Sequence, residues 1–369
     1  MCTVKTWRFP TLLIPRADRV EGASCRNPVC QRPLSGTWDQ SGPLCCNCAL
    51  EFELFHRETR WPNRSSEVEA APRKSEWPRK RARSIQSRAV RLGMKTLAAV
   101  APAAAEQRAA RMFFTPQRSA RWTAPYVTKL PANTFRLSTE EHEIAAWSWG
   151  RGPAVLLVHG WAGYGAQLVN FVEPLVRAGF RAVTFDMPGH GASTGRELTV
   201  IDMSRAIRAV AQVAGPTHAV IAHSLGGTAA IWALRNGLEA KRLVLLAPAA
   251  EPTHFALALA TAIGLPAVRA PGMLERIESR VGIKLADFNV ARLVSEMTAR
   301  LLVIHDPEDP EVPFDHGEAI AVAWPGARIE RAAGMAHRGM LRNPGLIQKT
   351  VAFVSSQSRS SKPCAAATS

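Results

Sequence analysis

Five short runs rich in Val, Ile, Leu and Ala recur through the second half of the chain: Ala154–Val158, Ala182–Phe185, Ala219–Ala222, Leu243–Leu246 and Leu301–Ile304. Runs this short and this apolar predict strands buried on both faces. Between them, Ala166–Ala178, Ile201–Val213, Thr228–Asn236 and Phe314–Trp324 are predicted to be helices. Repeated strand and helix alternation admits few solutions, of which the main one is a mostly parallel sheet with helices on both faces. Ligand sites in such sheets lie beyond the carboxyl ends of the strands, so chemistry is to be sought in the residues that follow each run.

The first run is followed by His159-Gly160-Trp161-Ala162-Gly163, a tight turn able to aim a backbone N–H at the site. The second is followed by Asp186-Met187-Pro188-Gly189-His190-Gly191-Ala192-Ser193, which reads mainly as structure. The third is followed by His223-Ser224-Leu225-Gly226-Gly227. There a serine lies between a buried strand and a helix, with small residues at Ala222, Gly226 and Gly227. Larger side chains at those places would collide in so sharp a turn. The turn presents the hydroxyl at the carboxyl edge and leaves the Leu225 N–H at a helix N-terminus, ready to stabilise an oxyanion. This arrangement is a nucleophile elbow.

A serine nucleophile needs a base, and the base needs an orienting carboxylate. In the order Ser, acid, His, the histidines downstream of Ser224 are His254, His305, His316 and His337. The fifth run leads into a turn bearing Asp306, Glu308, Asp309 and Glu311. His316 follows Asp309 by only seven residues on the next helix, whereas His337 follows it by 28, room for that helix and a strand at Ala327–Arg331. His337, after the flexible Gly334-Met335-Ala336, is the expected base.

With these five turns in order, residues 126–356 resemble the α/β-hydrolase superfamily, specifically its serine esterase-like members. The resemblance rests on His159-Gly160-Trp161, Asp186-x-Pro188-Gly189-His190-Gly191-x-Ser193, the elbow at Ser224, His305-x3-Asp309-x2-Val312-Pro313 and Gly334-x2-His337. It implies nucleophile Ser224, acid Asp309, base His337, and an oxyanion hole from the backbone N–H groups of Trp161 and Leu225. Asp306 stands where the family turn usually has glycine, so Asp306 and Glu308 remain candidates for the acid. His159 and His190 are expected to hold loops, and His223 to support the site without touching substrate.

The 85 residues from Ser224 to Asp309 exceed what one helix and one strand require. Residues 251–299 are therefore expected to form a helical lid, its apolar residues mostly packing on the body and a few lining an acyl pocket.

The chain has 369 residues and a net charge of +16. Residues 1–93 hold 17 Lys and Arg against 9 Asp and Glu, so half the excess sits in the front quarter and the basic balance is not a signature of the hydrolase region. Within that front, residues 71–91 read as an extended, solvated basic linker broken by Pro72 and Pro78. Six of the seven cysteines precede residue 50. Cys25, Cys30, Cys45 and Cys48 have a spacing compatible with a small zinc ribbon. The alternatives are a solvated tail or a translated stretch upstream of a start at Met94. Residues 94–125 are expected to be an Ala-rich helix and linker, and 357–369 a disordered tail.

No apolar run approaches the ~20 residues of a membrane span, and no secretory leader is evident, so a cytoplasmic location is expected. The expected activity is hydrolysis of a carboxylic ester or thioester carrying an apolar acyl group, through an acyl-enzyme and with no cofactor or metal. An acyltransferase or a C–C hydrolase would use the same triad. A different class, nucleic-acid or protein binding through the basic front segment, is the remaining alternative, although nucleic acid is not favoured.

Overall fold

The computed structural model describes residues 38–39, 42–43, 79–117, 132–285, 290–294 and 296–356. The chain divides into two compact units, Met1–Glu76 and Trp77–Ser369. In the first, Trp38–Asp39 pairs antiparallel with Gly42–Pro43. The four cysteines of the zinc-ribbon spacing and the 357–369 tail lie outside the described residues.

The second unit is built on an eight-stranded sheet. Its strands are β1 (Asn133–Ser138), β2 (Glu143–Trp149), β3 (Ala154–Val158), β4 (Arg181–Phe185), β5 (Thr217–His223), β6 (Arg242–Leu246), β7 (Arg300–His305) and β8 (Arg328–Arg331). The spatial order is β8-β7-β6-β5-β3-β4-β2-β1. The pairs β1–β2 and β2–β4 are antiparallel; the others are parallel. The five expected runs are β3 to β7, and every residue of β3 and β6 is buried. Burial on both faces contributes roughly 1.5–3 kcal/mol for each Val or Leu, which is why these segments carry no polar alternation.

The helices are α1 (Arg79–Val100), α2 (Pro102–Phe113), α3 (Val172–Arg177), α4 (Val200–Ala214), α5 (Leu225–Arg235), α6 (Pro252–Ile263), α7 (Ala270–Val281), α8 (Val290–Leu293), α9 (Phe314–Ala323), α10 (Ala336–Gly339) and α11 (Pro344–Ser355). One apolar cluster joins α4 and α5 to the sheet through Ile207, Val210, Ala229 and Leu245. A second joins Phe171, Leu175 and α11 residues Ile347 and Phe353 to Val155, Leu157 and Val244. Alternating side chains of the same strands thus feed opposite layers, as a strand's period of two requires. Thr199 starts α4 with a reciprocal cap, accepting from Asp202 N while its own N–H is taken by the Asp202 carboxylate.

Two expectations for the N-terminal side change. Residues 79–91, read as extended linker, are the first turns of α1, which runs unbroken to Val100 and across residue 94. Arg, Lys and Ala are strong helix formers; the charge run masked a helix that packs through Met94 and Ala98. Met94, Ala98, Ala105, Ala109 and Phe114 pack with Ala256, Ala260, Ile263, Met273 and Ile277 in a third apolar cluster. Alanines at the contacts let the helix backbones approach closely. Several side chains expected to serve the lid's packing on the body, among them Leu265, Met273 and Ile277, instead pack with α1 and α2.

Candidate active site

β5 ends at His223 and α5 begins at Leu225, so Ser224 alone makes the turn between them. Its backbone lies at φ 54°, ψ −128°, a region that costs a non-glycine residue roughly 1–3 kcal/mol. The Ser224 N–H donates to the Leu246 carbonyl at 2.9 Å, and its carbonyl accepts from Gly227 N at 2.9 Å. These bonds hold the strained turn, and the hydroxyl is not used to cap the helix. The non-glycine residues of positive φ among the described residues are Ala162, Ser224, Ala247 and Ala336. All four sit at the carboxyl edge of the sheet: after β3, β5 and β6, and immediately before His337. Backbone strain gathered at one edge of a fold is a mark of a functional site.

Two glycines let these loops touch. A Cβ on Gly226 would lie 2.3 Å from the His159 carbonyl oxygen, and one on Gly160 would lie 2.8 Å from Ser224 Cβ. Gly226→Ala is expected to force the β3 turn away from the elbow, lowering stability by about 1–3 kcal/mol. Thermal unfolding of the variant, with turnover measured alongside, checks this.

Leu225 is the first residue of α5, so its N–H has no acceptor within the helix. In the β3 turn Gly163 N donates to Gly160 O and Ala162 N to His190 Nε2. The Trp161 N–H has no acceptor among the described residues. The two expected oxyanion donors therefore stand on adjoining turns, drawn together by the close approach of Gly160 and Gly226.

Two buried histidines brace this region. His159 Nε2 accepts from Met187 N at 2.9 Å, so Nδ1 carries the hydrogen and donates to Gly160 O at 2.7 Å. His190 Nε2 accepts from Ala162 N at 3.0 Å, and its Nδ1–H donates to Pro188 O at 2.9 Å. Both tie the β3 turn to the β4 turn. Buried Asp186 bridges Gly165 N at 2.7 Å and Ala192 N at 2.8 Å. Burial raises its carboxyl above the usual range, and the two N–H donors oppose that. Composition suggested only a structural turn here; the paired donors show how it is held.

His337 Nδ1 lies 2.8 Å from Asp309 Oδ2, with both side chains all but removed from solvent. Asp309 Oδ1 accepts from Glu311 N at 2.8 Å and Val312 N at 3.0 Å. Burial pushes this carboxyl up, but His305, His337 and the two backbone donors outweigh it and hold the group well below the usual carboxylate range. Among the described residues no hydrogen bond joins the His337 ring to the Ser224 hydroxyl, a contact that unliganded sites commonly leave long.

The other carboxylates of this turn are placed elsewhere. Asp306 accepts from Glu308 N at 3.0 Å and Ala336 N at 2.5 Å, bracing the loop before the base, and Glu308 is exposed. His316 accepts from Ala250 N at 3.1 Å and packs on His254 and Phe255, away from Asp309. One contributor escaped sequence reasoning: His305 Nε2 donates to Val312 O at 3.0 Å and lies 3.6 Å from Asp309 Oδ2. Its place at the last residue of β7 was the available signal. Among the described residues, no group of three or more His, Cys, Asp or Glu is arranged to hold a metal, and no helix is long and apolar enough to cross a membrane.

Burial pushes the His159 ring down to about 4, against the opposing bond to Gly160. A histidine with a lowered folded-state pKa takes up its proton more readily in the unfolded chain. Its stabilising effect is therefore complete above about pH 6.5 and is lost as pH falls toward 4, at roughly 1.4 kcal/mol per pH unit. The midpoint of thermal unfolding should drop between pH 6.5 and 4, with a shallower slope in His159→Gln.

A family model described as the alpha/beta hydrolase fold matches residues 153–319. Over 98 residues the chain is 35% identical to the pimeloyl-[acyl-carrier protein] methyl ester esterase of Xylella fastidiosa, covering 27% of this chain and 37% of that protein. Over 145 residues it is 30% identical to the pyrethroid hydrolase of Sphingobium wenxiniae, covering 37% of this chain and 50% of that protein. The matches thus span half or less of these two curated relatives. An esterase from Pyrococcus furiosus superposes with a TM-score of 0.50 at 17% identity, over 65% of this chain and 96% of that one, which shows a common fold.

Proposed function

We propose, from the alpha/beta hydrolase fold matched over residues 153–319, that the protein is a serine hydrolase of carboxylic esters. The observation that carries this reading is the buried His337–Asp309 hydrogen bond of 2.8 Å on the loops beside the strained Ser224 turn. Ser224 Oγ attacks the acyl carbon while His337 takes its proton, and Asp309, kept ionised by its donors, steadies the imidazolium. The oxyanion is received by the N–H groups of Trp161 and Leu225, the latter at the positive end of α5. As the tetrahedral intermediate collapses, the C–O bond breaks and His337 returns the proton to the leaving alcohol. Water then attacks the acyl-enzyme by the same route, releasing the acid and restoring Ser224.

The methyl ester named for the Xylella relative makes a small alcohol group the first to try. Phe255, on α6 and packed on His316, is the candidate for contact with an apolar acyl group. Labelling by a fluorophosphonate probe, followed by turnover of p-nitrophenyl esters of rising chain length, tests the proposal. Labelling confined to Ser224 and ester turnover are expected; labelling that persists undiminished in Ser224→Ala would sink the assignment.

A further inference from the structure

His223 is the last residue of β5, next to Ser224 and 3% exposed. Its Nε2 is 2.9 Å from the backbone carbonyl of His337, 114 residues away. A carbonyl oxygen only accepts, so Nε2 carries the hydrogen and Nδ1 is the bare nitrogen, buried and without a partner among the described residues. The two imidazoles also touch, their centroids 4.6 Å apart and their planes 48° to each other. One side chain thus links the backbone beside the nucleophile to both the backbone and the ring of the base. His337 itself sits on α10, a four-residue helix entered through the strained Ala336. So short an element has little stiffness of its own.

We propose that His223 is a positioning residue that fixes the base His337 relative to Ser224 by donating a hydrogen bond to its main-chain carbonyl and supporting its ring. This rests on the reading of Ser224 and His337 given above. Burial, followed by the proximity of His337, pushes the His223 ring down to about 3. It therefore stays neutral while the imidazolium forms on His337, and offers that cation a π face without a competing positive charge. Among the described residues no hydrogen bond fixes the Ser224 hydroxyl to the base, so the geometry of proton transfer depends on where α10 is held.

The test uses the full-length protein and a p-nitrophenyl ester. His223→Phe keeps a ring and removes the donor, His223→Leu removes both, and His223→Gln keeps a side-chain N–H. A misplaced base costs on the order of 10- to 100-fold, so kcat should fall by that factor in His223→Phe and His223→Leu. KM should stay within about twofold, and the rate of fluorophosphonate labelling should fall in step with kcat. His223→Gln should recover most of the loss. Wild-type kcat in the donor-less variants, a loss carried by KM, or His223→Gln as impaired as His223→Phe would each overturn the proposal. Failure of both donor-less variants to fold would do so as well, since it assigns the ring to packing alone. The two readings fail separately: an active Ser224→Ala removes the serine mechanism, whereas an inactive Ser224→Ala beside a fully active His223→Phe removes only the role of His223.

Discussion

Ser224→Ala should lower kcat/KM for a short p-nitrophenyl ester by about 10³- to 10⁶-fold, the range seen when a serine nucleophile is removed while the oxyanion donors remain. The size of the effect follows from there being no second nucleophile at the turn: the neighbours are His223, whose Nε2 is engaged with His337, and Leu225. The variant should remain folded. Serine and alanine both carry a Cβ, and three alanines already hold a positive φ in this protein, 53°, 48° and 50° for Ala162, Ala247 and Ala336, so alanine at position 224 adds no new strain. Ser224→Gly sharpens the test, because glycine releases the strain of the turn. It should be equally inactive yet melt higher than Ser224→Ala, with up to about 1–3 kcal/mol recovered. Rate measurements paired with thermal unfolding read both outcomes. Activity within tenfold of wild type in either variant would refute a serine mechanism.

Asp309→Asn should be the second large loss, about 10⁴-fold in kcat, because an amide both removes the charge that steadies the imidazolium and can present a donor to His337 Nδ1, favouring the wrong tautomer. The neighbouring carboxylates provide the contrast. Asp306 holds the N–H groups of Glu308 and Ala336, so Asp306→Asn should loosen the loop before the base and cost about 10-fold. Glu308 is exposed, and Glu308→Gln should leave turnover unchanged. A rank order with Asp306→Asn most damaging would move the acid to Asp306. The pKa of the Asp309 carboxylate is depressed by its hydrogen bonds to His305, His337 and two backbone N–H groups, which outweigh its burial. Its contribution to stability is complete above the usual carboxylate range and is lost only as pH falls through the depressed value.

The sheet was legible because its central strands are local, uninterrupted apolar segments whose character survives without knowledge of their neighbours. The strands β1 and β2 were not. Glu143–Trp149 mixes alanine, serine and tryptophan, and its burial comes from antiparallel pairing with β4, from Ala146 opposite Phe185 to Trp149 opposite Ala182. The first turns of α1 were hidden by seven Lys and Arg in 22 residues with no acid, a pattern that composition reads as solvated chain. In its later turns Met94 and Ala98 pack with residues of α6 and α7.

For the site, the sequence by itself determined the sharp turn at Ser224 and the expected order of its partners. Ser224 needs small neighbours at fixed, short spacing, and steric demand of that kind is written locally. It also limited the acid to one turn and pointed to His337 by chain length. Only the tertiary structure decided which carboxylate meets the imidazole, because Asp306 and Asp309 differ by three residues in the chain but bind different groups: one the N–H of Ala336, the other the ring of His337. It alone placed His305 beside Asp309 and the His223 ring on the His337 carbonyl, and showed that α1 and α2 share a core with α6 and α7. Such contacts join distant positions: His223 and His337 are 114 residues apart, and Glu106 on α2 and Arg276 on α7 are 170 apart. They depend on how segments far apart in the chain are brought within hydrogen-bonding distance, which no local pattern encodes.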